Sequence, residues 1–163
     1  MIKKEIAKML IEQINLELHS AYIYLEFANY YESQNLPGFA HWYKVQAGEE
    51  YEHADRIRHF LIEAGETVTF SPIGDTVKGF KDAMGPLKEG LKHEQFITAS
   101  INKIYEKAVS LKDHLSANFL QWFIKEQGEE ETNAQNNIDK LEMVGLGGTA
   151  LYLLDKEFAR RED

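Results

Sequence analysis

Apolar residues recur along this chain with a helical period over four long stretches, and the breaks between them are of unequal length. The spacing predicts a first helix from about Lys3 to Ser33, with Ile6, Leu10, Gln13, Glu17, Ser20, Tyr24, Phe27 and Tyr31 along one face. Gln34, Asn35 and Leu36 form a loop, and Pro37 and Gly38 suit the first turn of a second helix that runs to Ala64, with Gly65 as its cap. From Glu66 to Gly85 the period fades, and Pro72, Gly74, Gly79 and Gly85 interrupt the chain. Pro86 starts a third helix that ends near Lys112. After a turn at Asp113 and His114, a fourth runs from about Leu115 to Val144. Gly145, Gly147 and Gly148 break it, leaving a short fifth segment from Thr149 to about Arg160 that needs a packing partner. Short, long and short connections predict an all-α fold: a four-helix bundle with a long crossover between helices 2 and 3 and a short fifth C-terminal helix.

The apolar stripes carry residues that do not belong in an oily core. Glu17 lies on the buried series of helix 1, and Glu50 and His53 share a series with Gln46, Ile57 and Phe60. Glu94 lies between Leu91 and Thr98, while Gln127 and Glu130 lie between Phe123 and Ala134. The pattern repeats: adding 77 to Glu17, Glu50 and His53 lands on Glu94, Gln127 and Glu130. Unpartnered buried carboxylates are costly, and no Lys or Arg occurs on these series to neutralise four of them. Two divalent cations would balance the charge. A Glu-x-x-His pair alone is common and usually solvated. Here, single acids and a second polar pair face it from the other helices, as in di-iron carboxylate bundles. The halves differ, because the second pair is Gln127 and Glu130 and lacks an imidazole. The second metal is therefore expected to bind more loosely.

Composition narrows the classes. The 163 residues, 44% hydrophobic and 12% aromatic, suffice for one sizeable core, so a single domain over 1–163 is expected. A net charge of −9 argues against a nucleic-acid partner and suits a protein that attracts cations. No membrane-spanning run and no signal peptide are apparent, and a cytoplasmic location is the default expectation. With no cysteine, thiolate zinc sites, iron–sulfur clusters and disulfides are ruled out.

The strings NLEL, GEEYEHA, KHEQFIT, FLQWFIKEQGEEE, DKLEMVG and LYLLDKE resemble the bacterial non-haem ferritins, and the resemblance covers essentially the whole chain. It implies a ferritin-like di-iron domain. Glu17, Glu50 and His53 would hold one iron, with Glu50 bridging to a second at Glu94, Glu130 and Gln127, and Tyr24 beside them. Glu49, Glu126 and Glu129, with Glu130, match the family's accessory third iron site. The resemblance further implies an iron store with ferroxidase activity. Ferrous iron, Fe(II), would be oxidised to Fe(III) by dioxygen or hydrogen peroxide and kept as mineral inside a shell of 24 self-associated subunits. No haem is expected: the haem-containing relatives present Met after the acid of Glu-x-x-His, where this chain has Tyr51, and repeat Glu-x-x-His in the second half. The small DNA-protecting relatives build their sites across a subunit interface, whereas this chain supplies a complete set. A helical metal-buffering protein would explain the core and charge but not the facing polar sets. Tyr24 reads as a hydrogen-bond or electron donor, or as a core residue with its hydroxyl satisfied. The remaining histidines, His93 among them, read as surface or packing residues. Close packing or a local bulge would account for Gly48 and Gly128. In the family the fifth segment lies near the shell's fourfold axes; folding back onto its own bundle is the plainer alternative.

Overall fold

A computed structural model describes residues 1–162 and contains five helices: α1 (Lys4–Ser33), α2 (Pro37–Glu63), α3 (Met84–Ser110), α4 (His114–Val144) and α5 (Gly148–Phe158). The α1–α2 loop reverses the chain with Asn35 at φ 58°, and Pro37 occupies the first helical turn of α2, where its missing N–H has no intrahelical partner to lose. Residues 64–83 carry no regular helix or strand and form the crossover. The fold is therefore the all-α bundle expected, with α1 packed on α2 and α3, and α3 on α4. No described helix is long and apolar enough to cross a membrane.

The differences from expectation lie at helix ends. α3 starts at Met84, two residues before Pro86, because Asp82 Oδ1 accepts from the Met84 N–H at 2.9 Å and opens the turn. Pro86 still falls within that first turn, where no backbone donor is needed. α3 ends at Ser110, before Lys112 adopts φ 55°. α4 begins at His114 because Asp113 is its N-cap and accepts from Ser116 N–H at 3.1 Å. The other Asp113 oxygen accepts from Lys3 N–H at 2.7 Å, tying the start of the chain to the α3–α4 turn.

The fifth helix packs against the start of α2. Asp155 is buried, and its Oδ1 accepts from the Gly38 and Phe39 N–H groups at 2.8 and 3.0 Å, capping α2 from a distant part of the chain. Phe158 lies against Phe39 with ring centroids 4.4 Å apart. Gly38 is required for this approach, since a Cβ there would stand 1.7 Å from the Asp155 carbonyl oxygen.

The core has two apolar regions. Tyr24, Phe27, Tyr31, Phe39, Tyr43, Leu87, Ile138 and Leu141 form one, joined by Leu154 and Phe158 of α5. Ile6, Leu10, Ile14, Ile57, Leu61, Ile97, Ile101, Leu120 and Phe123 belong to the other. On each of the four long helices a buried polar group, Glu17, Glu50 with His53, Glu94, and Gln127 with Glu130, separates the two regions in sequence, so the bundle holds a polar layer sandwiched by two apolar ones.

Candidate metal centre

All four long helices contribute to this layer. α1 brings Gln13 and Glu17, α2 brings Gln46, Glu50 and His53, α3 brings Glu94, and α4 brings Gln127 and Glu130; all eight are buried. Glu17, Glu50 and His53 offer ligand atoms within 4.8 Å of one another, and so do Glu50, Glu94 and Glu130. Glu50 belongs to both sets. It is therefore placed to bridge two cations, each set drawing on different helices.

Hydrogen bonds from neutral groups orient these acids. Gln13 Nε2 donates to Glu17 Oε1 at 2.8 Å, and Gln13 Oε1 accepts in turn from the Ser100 hydroxyl at 2.6 Å. Gln46 Nε2 donates to Glu50 Oε1 at 2.9 Å and to Glu130 Oε2 at 2.8 Å, joining the two sets. Gln127 Nε2 donates to Glu94 Oε2 at 3.1 Å, and the Tyr24 hydroxyl donates to Glu94 Oε1. Neutral amides orient a carboxylate without cancelling it, which leaves the charge available to a cation.

The layer is held under electrostatic load. Burial first, and the neighbouring Glu50 second, raise the Glu17 carboxyl well above its ordinary range. Burial, then Glu94 and Glu130, does the same to Glu50. Burial raises Glu94, and burial followed by the Glu94 charge pushes Glu130 up to about 8. Without cations Glu130 holds its proton into the neutral range, and the other three carboxyls are pushed in the same direction. Among the described residues, Glu17 Oε2 and His53 Nδ1 are buried with no hydrogen-bond partner, although His53 Nδ1 lies 3.4 Å from Glu50 Oε2. Two orphaned donor atoms in one ligand set fit a cation placed between them. The donor set, hard oxygen with one imidazole, suits divalent or trivalent first-row metals.

The accessory acids are less gathered. Glu126 Oε1 lies 3.8 Å from His53 Nε2, and His53, Glu126 and Glu130 form a third close set. Glu49 turns instead to Arg161 at 2.6 Å, and Glu129 lies 3.8 Å from Lys125. Tyr24 is buried at the site with its hydroxyl satisfied by Glu94, and its own proton is held more tightly than usual by burial and then by that carboxylate.

Sequence reasoning gave no role to Gln13 or Gln46 and read His93 only as a surface or packing residue. The first two carry a legible signal, because each sits four residues before a glutamate of the candidate centre, the spacing that stacks side chains on a helix face. His93 is a packing residue with a specific task. Its Nε2 hydrogen-bonds the Ser20 hydroxyl at 2.7 Å, and its ring stands edge-on to Tyr24 at 5.8 Å. Burial, followed by the proximity of His19, lowers it to about 4, so a neutral ring backs the tyrosine at ordinary pH. Gly48 and Gly128 have no neighbour within 4 Å of a would-be Cβ and lie in unbroken helix, so neither intrachain packing nor a bulge accounts for them.

A crossover four-helix bundle with a shared carboxylate between two ligand sets defines the ferritin-like class of carboxylate bundles. Known proteins agree. The family model for the ferritin-like domain matches residues 7–144. The bacterial non-heme ferritin of Campylobacter jejuni is 35% identical over 156 residues, spanning 96% of this chain and 93% of that protein. That of Staphylococcus haemolyticus is 35% identical over 99% of this chain and 97% of its own. An open-pore ferritin from the hyperthermophilic archaeon Archaeoglobus fulgidus superposes with a TM-score of 0.97 at 35% identity, covering 99% of this chain and 100% of that one. An engineered closed form of the Archaeoglobus protein also gives 0.97. The chain belongs to the ferritin family, alongside its bacterial non-haem members.

Proposed function

We propose that this protein is a cytoplasmic iron store with ferroxidase activity, working as a shell of 24 copies. The observation that carries the reading is the sharing of Glu50 between two buried ligand sets. Two ferrous ions held at Glu17, Glu50 and His53 and at Glu50, Glu94 and Glu130, with Gln127 alongside, would share the Glu50 carboxylate and be available for oxidation as a pair. Each pair gives up two electrons, which with two protons reduce dioxygen to hydrogen peroxide, or hydrogen peroxide to water. Carboxylate oxygen favours the harder ferric product, so binding and oxidation pull the same way. Ferric charge of +6, less two for an oxo bridge, again matches four carboxylates. Tyr24 steadies Glu94 and is placed to supply an electron.

The second set lacks an imidazole, and its metal would be held mainly by carboxylate oxygen. That asymmetry suits a station through which oxidised iron passes on its way to mineral. Glu126, Glu49 and Glu129, with Glu130, would form an accessory third site at the rim of the pair. Exposed Tyr22 and Leu25 of α1, Tyr51 of α2, and Phe70 of the crossover are apolar side chains that other subunits would cover.

The test is direct. Glu50→Ala and His53→Ala each remove a ligand, and the first also removes the bridge. Both variants should fold and assemble, yet lose rapid ferrous oxidation under dioxygen and under peroxide. Parent-like initial rates in either variant would refute the site. Sedimentation of the parent should give the mass of 24 subunits, with retained iron in the same particle.

A further inference from the structure

Of the three accessory acids, Glu49 is paired most tightly, and its partner comes from the far end of the chain. Arg161 Nη2 stands 2.6 Å from Glu49 Oε2, while Nη1 donates to the Trp42 carbonyl at 3.2 Å. The guanidinium carbon lies 4.0 Å over the Trp42 ring, and the Arg161 carbonyl is hydrogen-bonded by His41 Nε2 at 2.8 Å. An ordinary surface ion pair has none of this support. The Lys125 side chain beside Glu129 is 81% exposed, whereas that of Arg161 is 15% exposed. α5, docked on α2 through Asp155 and Phe158, delivers the guanidinium to this spot.

Glu49 sits next to the bridging Glu50, and its charge is felt at Glu130. A fixed cation on Glu49 therefore competes with any metal ion for the same oxygen atoms. Beside it a cleft of about 270 Å³, lined by Trp42, Asn133, Asn136, Asn137, Lys140 and Arg161, gives the side chain somewhere to go. Amide oxygens of Asn133 and Asn136 can accept its N–H groups there.

We infer that Arg161 is a resident counter-cation of the accessory site, holding Glu49 until a third metal ion displaces it. The inference rests on the proposed reading of Glu49, Glu126 and Glu130 as a cation site. Arg161 is a positioning residue: it does not touch the paired centre, and it sets how readily a third ion joins the first two. In return, a third ion frees the guanidinium from Glu49 and changes the face of Trp42 that it covers.

The experiment titrates the metal-free, assembled full-length protein with Tb³⁺, a redox-inert stand-in for ferric iron, and counts bound ions by equilibrium dialysis. Glu49→Gln identifies the third step by abolishing it. Arg161→Gln should leave the first two ions unchanged and tighten the third roughly fivefold to tenfold, as removal of a charge-assisted, partly screened competitor requires. Arg161→Lys keeps the charge but loses the planar fork and stacking, and should fall between. A role confined to stapling the tail would not move this affinity. A second readout uses a chain with Arg161 intact and Trp122→Phe, so that Trp42 alone reports: its emission should change at the third equivalent of Tb³⁺. If Glu49→Gln removes a third step that Arg161→Gln leaves unaltered, and Trp42 emission stays flat, the counter-cation role is overturned while the accessory site stands. If the parent shows no step that depends on Glu49, the accessory site falls and the role of Arg161 falls with it.

Discussion

Glu130→Gln should make the metal-free protein more stable, by an amount that grows with pH. Burial and the facing Glu94 push the Glu130 carboxyl from an ordinary 4.5 up to about 8. A folded-state value raised in this way leaves stability intact below 4.5 and removes it as pH climbs to about 8, because the unfolded chain ionises first and the native layer must keep the proton. One pKa unit is worth ~1.4 kcal/mol, so the penalty at pH 7 amounts to roughly 3 kcal/mol, and it levels off near roughly 5 kcal/mol above pH 8. Glutamine keeps the shape. Its oxygen can still accept from Gln46 Nε2, now 2.8 Å from Glu130 Oε2, and its new N–H groups face Glu50 and Glu94, whose ligand atoms lie within 4.8 Å.

The assay is guanidinium unfolding of chelator-treated parent and variant at pH 5, 6, 7 and 8. One protomer concentration is used throughout, because assembly adds to measured stability. The gap should be small at pH 5 and widen steadily to pH 8. A gap constant across that range, or a parent more stable than the variant at pH 8, would refute the claim that Glu130 is held protonated by its surroundings. The same variant should bind the second ion of the pair far more weakly, so the stability gained and the metal affinity lost trace to one carboxylate.

Gly38→Ala drives a Cβ against the Asp155 backbone and should loosen α5 from α2, at a cost of about 2–3 kcal/mol; limited proteolysis after Val144 and unfolding midpoints would report it, and an unchanged cleavage rate would contradict the docking argument. Gln127→Glu with Glu130→His gives both halves Glu-x-x-His while keeping four acids. The ferric pair should then persist longer and mineral grow more slowly after a near-normal first oxidation, as followed by rapid-mixing spectroscopy. Clearance as fast as in the parent would show that weak second-site ligation is not what lets iron move on.

Most of the bundle was legible because helical periodicity and loop length are local properties. Glu17 and Glu94 stood out because each breaks an apolar stripe in which a carboxylate has no lysine or arginine to meet. Helix ends were less legible. Pro86 marks a first turn without saying whether one or three residues precede it, and the side chain that decided the start of α3 was Asp82. Asp155 could not be read as the cap of α2 at all, since its partners at Gly38 and Phe39 lie more than a hundred residues away. Arg161 escaped for the same reason. Nothing around it carries a period, and its pairing with Glu49 exists only once α5 has docked. The amide donors were half visible, as polar members of the buried series whose role depended on which acid they faced.

The choice of donors explains how one layer can be both organised and receptive. Lysine in place of Gln46 would satisfy Glu50 and Glu130 better than an amide does, and its ammonium would sit where a metal should. Gln13, Gln46, Gln127 and Tyr24 fix oxygen positions and contribute no charge, so the cost of four buried acids stays in the metal-free fold as raised proton affinity. The aromatic and aliphatic layers on either side must outweigh that cost, which is why the polar set can occupy the middle of long helices. Protein cations meet the acids at the rim, Arg161 on Glu49 and Lys125 beside Glu129, and leave the paired sets open. Replacing the amides by cations would give a more stable bundle with no reason to bind iron.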